Sequence, residues 1–388
     1  MKILIFSTDY LPHIGGAEIA VHELTKRIPE ERIAFDMLTP RYSRALSKHE
    51  QIGSVSVRRV GIGHPIDKYL FPVTGFFVAL IRSRHISYDC VWGIMASFGG
   101  LAGALFHRMR NKKSFILTLQ EGDDEVHLKR YVFNNDLLFR FLVRPLHYFP
   151  IRSATHITVI SNYLKKRAEA TDTKAPITLL PNGVDVSLFT ARASEVEKHA
   201  LRQKFHIPTS AYVLVSTSRL VYKNGLDTLV RTLPLLNKKV HVLIVGSGPL
   251  GTSLSQLARE LRVLDRVHFV PTIPQDELPK YLHASDVFVR TSRSEGFGNS
   301  FVEAMSAGLP VIGTPVGGIV DFIEDRVTGI LVEPDNPGAL AHAVSELMQI
   351  PEHAKSITEA GRRLAVETYS WDRLAGDFME LCLSIKKI

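Results

Sequence analysis

Residues 291 to 318 read Thr-Ser-Arg-Ser-Glu-Gly-Phe-Gly-Asn-Ser-Phe-Val-Glu-Ala-Met-Ser-Ala-Gly-Leu-Pro-Val-Ile-Gly-Thr-Pro-Val-Gly-Gly. The pattern is strand, glycine loop, short helix, strand. Asp286 to Arg290 closes an apolar strand, and Gly296 and Gly298 then break the chain. Asn299 or Ser300 can cap the helix that follows, because their side chains accept hydrogen bonds from its free N–H groups. Gly308 ends that helix and Pro310 prevents its continuation. Adaptable backbone, unpaired N–H groups and the positive end of a helix dipole together suit an anion. Glu295 and Glu303, which flank the loop, would repel a phosphate and suit sugar hydroxyls instead.

The same strand-and-helix alternation extends to both sides. Toward the N-terminus, Lys2 to Ser7 is a short, nearly continuous apolar run, as expected of a strand buried on both faces. Gly15 and Gly16 follow and open a helix over Glu18 to Lys26. A glycine pair there either lets a ligand approach the backbone or forms a tight turn. It is not G-x-G-x-x-G, so the dinucleotide fingerprint is absent. Ala34 to Thr39, Val55 to Val60, Asp89 to Trp92 and Ser114 to Leu119 read as further strands. The last runs into Gln120-Glu121-Gly122-Asp123-Asp124-Glu125, polar groups past the carboxyl end of a parallel strand, where such sheets bind ligands. These acids are adjacent rather than spaced, which favours a solvated face over a metal site. Leu137 to Arg152 alternates apolar residues with Arg140, Arg144 and Arg152. It can lie on a membrane surface, or form a helix broken at Pro145 and packed on its domain.

Strands at His156 to Ile160 and Ile177 to Leu180 lead to Pro181-Asn182-Gly183-Val184-Asp185. Residues 190 to 205 are charged and helical, and the domain boundary is placed at 205. The alternation restarts with a strand at Tyr212 to Ser216. Arg219 and Lys223 follow it, four apart around a loop. They can converge on a diphosphate, Arg through two bonds and Lys as a point charge; the alternative is two surface cations. His241 to Val245 ends in Gly246-Ser247-Gly248, a lone G-x-G that can seat part of a nucleotide or simply turn. Val267 to Val270 leads to Thr272 and Ile273. Helices over Pro337 to Gln349, Glu352 to Thr368 and Trp371 to Lys386 complete the chain.

The 388 residues are 45% hydrophobic and 22% charged, ordinary globular composition with length for two or three domains. Cys90 and Cys382 carry no metal or redox spacing, which points to a reducing, cytoplasmic compartment. Met1 to Thr8 reads as a strand rather than a leader. The longest apolar run, about Val91 to Phe106, is shorter than the roughly 20 residues of a spanning helix. Of the net charge of +8, residues 1 to 205 hold 29 Lys/Arg against 19 Asp/Glu, a difference of +10, and the remainder 18 against 20, or −2. An anionic membrane or a phosphorylated substrate fits that basic first half. Nucleic acid is disfavoured, since no recognition motif accompanies the charge.

Taken together, these residues resemble the retaining glycosyltransferases of family 4, of GT-B fold. The resemblance covers nearly the whole chain. It is carried by Glu295 and Glu303 within Glu-Gly-Phe-Gly-Asn-Ser-Phe-Val-Glu-Ala-Met, by Arg219/Lys223, by Pro181 to Asp185, and by Gly15-Gly16. It implies two Rossmann-like α/β domains facing each other across a cleft: 1–205 on the acceptor side, 206–368 on the nucleotide-sugar donor side. A helix over 369–388 would cross back to the first domain. Arg219 and Lys223 would bind the donor diphosphate and steady the leaving group, with Gly16, beside Gly15, approaching the same diphosphate. Glu295 would bind hydroxyls of the transferred sugar and Glu303 the ribose. Backbone amides at Phe297, Gly298, Asn299 and Ser300 would face sugar or phosphate. Gly246, Gly248, Thr272 and Ile273 would flank the base.

Family members often carry a histidine past the strand ending at Leu119. Here Gln120 to Asp123 stand there, so Gln120 or Asp123 is the candidate sugar contact, with His127 less well placed. The implied activity is retaining hexosyl transfer from a UDP- or GDP-linked sugar to a glycan or lipid-linked acceptor, as in polysaccharide biosynthesis. No cofactor or metal is expected, because protein cations stabilise the departing diphosphate. Peripheral contact of the basic first half with the inner face of a membrane is a further expectation. The alternatives are a nucleotide-sugar 2-epimerase of the same fold and a non-catalytic binding module. Paired carboxylates also occur in glycosidases, but the phosphate-suited loop argues against hydrolysis.

Overall fold

The structure is a computed structural model describing residues 1–13, 15–110, 114–120, 129, 135–191 and 193–386. The chain forms two compact units, Met1–Asn182 with Trp371–Ile388, and Gly183–Ser370. The division falls after Asn182 rather than at 205. The reason is the helix Glu195–Lys204, which packs on the helix Leu278–His283. Its Arg202 reaches the Asp286 carboxylate at 3.1 Å and the Ala284 carbonyl at 2.9 Å. A charged surface helix therefore joins the second unit through one anchored arginine.

The first unit holds eight strands: β1 (Lys2–Phe6), β2 (Ala34–Pro40), β3 (His49–Ile52), β4 (Val55–Val60), β5 (Cys90–Ile94), β6 (Ser114–Leu119), β7 (His156–Val159) and β8 (Ile177–Leu179). Their order is β3-β4-β2-β1-β5-β6-β7-β8. Every pairing is parallel except β3 with β4. β3 escapes a sequence reading because His49-Glu-Gln-Ile52 has no apolar alternation. It forms as an exposed edge, folded back on β4 through a turn at Gly53. The inner strands are continuous apolar runs because helices cover both faces.

On one face lie the helices Gly16–Arg27 and Trp371–Lys386, packed together. Phe378 of the last helix meets Trp92 of β5 with ring centroids 4.3 Å apart, and Asp372 receives Arg27 at 2.7 Å. The helices Asp67–Arg82, Phe98–Arg110 and Arg144–Ser153 follow one another in a second layer. The segment before Pro145 is not an ordinary helix. Asp136–Leu138 runs into a π-helical turn, Phe139–Val143, and a regular helix resumes at Arg144 with Pro145 in its first turn. Proline supplies no N–H to the preceding turn, and a π-turn absorbs the mismatch. Phe139 and Ile151 are buried, while Leu137, Leu138, Phe141 and Leu146 stay exposed, so this segment packs on the unit and still presents apolar side chains outward.

The second unit has β9 (Tyr212–Thr217), β10 (Val240–Val245), β11 (Val267–Val270), β12 (Val287–Val289), β13 (Val311–Gly313) and β14 (Ile330–Leu331). Their order, β11-β10-β9-β12-β13-β14, is that of a dinucleotide-binding sheet counted 3-2-1-4-5-6, and all its pairs are parallel. The strand order reverses between β9 and β12. These two pair through Leu214 with Val287 and Val215 with Phe288. The loops leaving their carboxyl ends, one beginning at Ser218 and the other at Arg290, must therefore diverge and leave a crevice. Leu214, Ile244, Val289, Ile312 and Leu340 are among the fully buried side chains of this unit's core.

Among the described residues, no helix is long and apolar enough to cross a membrane.

Candidate active site

Because β9 and β12 are neighbours, the two stretches singled out in sequence, 219–225 and 291–300, lie side by side at the reversal point. Several backbone and side-chain hydrogen bonds bind them. The Arg293 amide donates to the Lys223 carbonyl at 2.7 Å, and the Arg293 guanidinium to the Tyr222 carbonyl at 2.7 Å. The Thr291 hydroxyl donates to the Gly225 carbonyl at 2.7 Å. Arg290 donates to the Asn224 side-chain oxygen at 3.1 Å. The approach is so close that a Cβ on Gly225, whose φ is +64°, would stand 1.8 Å from the Thr291 carbonyl oxygen. Glu295 is fixed the same way from behind: a Cβ on Gly317, at φ +57°, would stand 1.7 Å from its carbonyl oxygen.

Arg290 is the centre of this arrangement, and the sequence reads it only as the end of a strand. Its guanidinium donates to the Ser300 hydroxyl at 2.7 Å and to Asn224, and forms an ion pair with Glu295. Arg290 and Glu295 are 11% and 14% exposed at the side chain, so the pair is largely out of water. The other Glu295 oxygen accepts the Gly296 amide at 3.1 Å. A carboxylate held at both oxygens is oriented before any ligand arrives, and its remaining lone pairs can accept hydroxyls. Arg293 is a second arginine the sequence reading passes over. It bonds Asp227 through two nitrogens at 3.0 and 2.8 Å and stacks over the Tyr222 ring at 4.2 Å. Hydrogen bonds to Asp227 are the main cause holding its charge above the ordinary arginine range. The signal that could have exposed both is compositional: two arginines between a buried strand and a glycine loop, too close to the core to be idle.

The helix Asn299–Ser306 begins differently from the sequence expectation. Gly298, at φ +108°, occupies the cap position, and no side chain caps the helix. Ser300 lies inside the helix, past the cap position, and its hydroxyl accepts Arg290. Phe297 turns its ring into the core, against Phe322 and Tyr369 at 5.2 and 5.5 Å, which leaves only its backbone for a ligand. Gly308, at φ +81°, ends the helix as expected.

Glu303 lies one turn further along this helix. Burial is the largest influence on its carboxyl and pushes it up to about 7, against the lowering effects of Gln275 and Arg290. Gln275 donates to it at 3.4 Å. Lys223 is half-buried and Arg219 exposed, at the carboxyl end of β9. The Arg219 carbonyl accepts the Asn224 side chain at 2.6 Å, which tightens the loop between the two cations.

Gly246 and Gly248 serve first as close-packing positions. Added Cβ atoms would stand 2.0 Å from the Ser218 carbonyl oxygen and 2.5 Å from that of Leu220. They line a hollow of about 630 Å³ with Ser247, Phe269 and Pro271, to which the helix Gly251–Glu260 adds Gln256 and Arg259. Thr272, just beyond it, donates its amide to Ser247 at 3.2 Å, and Ile273 is half-buried.

In the first unit, Gly15 precedes the helix Gly16–Arg27. The buried Glu18 side chain curls back so far that a Cβ on Gly15 would meet its Oε2 at 2.4 Å. Burial raises the Glu18 carboxyl, while the backbone amides of Glu18 and Gly15 pull it down. Gln120 accepts the Asn182 side-chain amide at 3.2 Å, which joins it to the Pro181–Asp185 motif. Asp185 in turn caps the helix Val186–Thr190 through the Leu188 amide. Asp123 and His127 lie outside the described residues. Among the described residues, no group of three or more His, Cys, Asp or Glu side chains is placed to hold a metal ion.

Two family models match, Glycosyltransferase Family 4 over residues 14–188 and Glycosyl transferases group 1 over 197–364. The chain belongs to the group 1, family 4 glycosyltransferases. This family member is 34% identical over 230 residues to a GDP-mannose-dependent alpha-(1-6)-phosphatidylinositol monomannoside mannosyltransferase of Mycobacterium tuberculosis, a match over 56% of this chain and 59% of that protein. The chain thus spans little more than half the length of that relative. An uncharacterized glycosyltransferase of Methanocaldococcus jannaschii is 26% identical over 97% of this chain and 96% of its own. Sucrose-phosphate synthase from Thermosynechococcus elongatus superposes with a TM-score of 0.82 at 22% identity, covering 99% and 98% of the two chains. The fold is GT-B, as the sequence leads one to expect.

Proposed function

We propose that the protein transfers a hexosyl group from a nucleoside-diphosphate sugar to a lipid-linked or cell-envelope glycan acceptor, with retention of anomeric configuration. The observation that carries this reading is the Arg290-centred tie between the Lys223 loop and Glu295 at the reversal point of the second sheet. It supports a division of labour. Arg219 and Lys223 take the donor diphosphate and stabilise the negative charge that grows there as the sugar–phosphate bond breaks. Glu295, pre-oriented, accepts hydroxyls of the sugar. Backbone amides around Phe297, Gly298, Asn299 and Ser300 face sugar or phosphate, and Glu303 accepts the ribose hydroxyls. Gly246, Gly248, Thr272 and Ile273 border the base. In the first unit Gly15 and Gly16 are donor contacts on the family resemblance alone, and Gln120 or Asp123 takes the place of the histidine that family members often carry.

With two cations supplied by the protein, no divalent metal is required. The name of the mycobacterial relative makes GDP-mannose the first donor to try, with UDP-sugars next. The test is product formation from labelled donor with lipid-linked acceptors, in chelator, with the new linkage's configuration read by NMR. A retained configuration and undiminished rate in chelator support the proposal. Epimer interconversion without acceptor, inversion, or strict metal dependence would each overturn it.

A further inference from the structure

The helix Asp67–Arg82 is apolar on both sides. Phe71, Gly75 and Ala79 are buried. Tyr69, Leu70, Val73, Phe77 and Ile81 point the other way and stay 48–60% exposed. At about 100° per residue these five span an arc of about 120° opposite the buried set. A helix apolar all round is normally covered on all sides, and this outer stripe is too ordered to be scattered surface residues.

The stripe is not isolated. The helix packs on Phe98–Arg110, with Tyr69 edge-on to Phe98 at 5.4 Å and Arg110 donating to Ser83 at 2.7 Å. That helix packs in turn on Arg144–Ser153, where His147 Nδ1 meets the Ala96 carbonyl at 3.0 Å. The adjoining segment adds exposed Leu137, Leu138, Phe141 and Leu146. The exposed charge on this layer is predominantly positive. Arg84, Arg108, Arg110, Arg140 and Arg144 are exposed, whereas Asp67 is buried and Asp136, paired with Lys129, is the single exposed acid of these elements among the described residues.

We propose that this layer, centred on the outer stripe of Asp67–Arg82, docks the protein on an anionic lipid surface. Apolar side chains enter the headgroup boundary while arginines beside them meet lipid phosphates, the two attractions that hold a helix in a bilayer interface. Charge complementarity selects this occupant over a second copy of the chain, which would bring the same cations face to face. The inference extends the lipid-linked acceptor reading to a surface of the first unit, but its observations do not involve the donor residues.

The experiment is co-sedimentation of the full chain with vesicles of phosphatidylcholine alone and of phosphatidylcholine with phosphatidylglycerol, at low and high salt. The expected result is binding to the anionic vesicles, weakened by salt. Val73→Asp with Phe77→Asp should lower partitioning at least about tenfold. Arg84→Gln or Arg108→Gln should lower it roughly fivefold each at low salt. All four side chains are at the surface, so the melting temperature should hold, and the lipid and salt dependence of the unaltered chain tests the proposal without any variant. Failure of the unaltered chain to sediment, or sedimentation of the double variant as before, would overturn it. So would lipid-free self-association that the double variant abolishes. Nucleotide binding, measured on the same samples, reads the donor site separately.

Discussion

Glu303→Gln separates the stability of the second unit from its donor binding. In the folded chain, burial raises this carboxyl from 4.5 to about 7. Because the folded value lies above the unfolded one, folding takes up a proton between these two pH values. The stabilising contribution is complete below about 4.5 and is lost as the pH rises through 7. At about 1.4 kcal/mol per pH unit, the ionised carboxylate costs the fold about 3 kcal/mol above neutrality. Glutamine has the same shape and no charge to bury. The variant should be more stable than the unaltered chain by up to about 3 kcal/mol at about pH 8, with the gap closing toward about pH 5. Nucleotide binding should move the opposite way. Hydrogen bonds from ribose hydroxyls to a charged acceptor contribute about 1.5–3 kcal/mol, so the variant should bind nucleoside diphosphate roughly tenfold to a hundredfold more weakly. Denaturant unfolding at both pH values and calorimetric titration with nucleotide measure the two effects. A stability difference independent of pH, or a variant that binds nucleotide as before, would refute the reasoning.

Arg290→Met should destabilise the second unit by about 3–5 kcal/mol, because it strands a largely buried Glu295 without its cation. Transfer should slow as the Lys223 loop loses its tie, and Arg290→Lys should not restore it, since one ammonium cannot span Glu295, Asn224 and Ser300 as a planar fork does; steady-state kinetics and urea unfolding check both. Gly317→Ala forces a methyl against the Glu295 carbonyl at a left-handed position and should cost at least about 1–3 kcal/mol in thermal unfolding. Gly376→Ala is the contrast: nothing stands within 4 Å of the added methyl in the helix Trp371–Lys386. It should stabilise by about 0.5–1 kcal/mol.

The strand-and-helix alternation was legible because buried parallel strands are written as continuous apolar runs. Val240–Val245 and Val267–Val270 needed no tertiary information. His49–Ile52 did: an exposed edge strand takes its register from its partner, not from its own residues. The unit boundary was hidden for a similar reason. The helix Glu195–Lys204 is largely charged and has no fully buried residue, and its packing on Leu278–His283 with the reach of Arg202 to Asp286 reveals which unit it joins. At the site, glycines and carboxylates advertised themselves by spacing. Arg290 did not, because its meaning lies in three partners at residues 224, 295 and 300, which strand pairing brings together. Asn299 and Ser300 read as helix caps on local preference, until a buried guanidinium claimed the Ser300 hydroxyl and Gly298 took the cap position.

The central claim is that the crevice between the β9 and β12 loops holds a nucleoside diphosphate through Arg219 and Lys223. Titration of GDP, UDP and ADP into the chain and into Lys223→Ala tests it most directly. The account predicts saturable binding of at least one nucleotide to the unaltered chain, weakened at least about tenfold in the variant through loss of a charged contact worth about 1.5–3 kcal/mol. Equal affinity in both proteins, or no binding of any of the three, would contradict it.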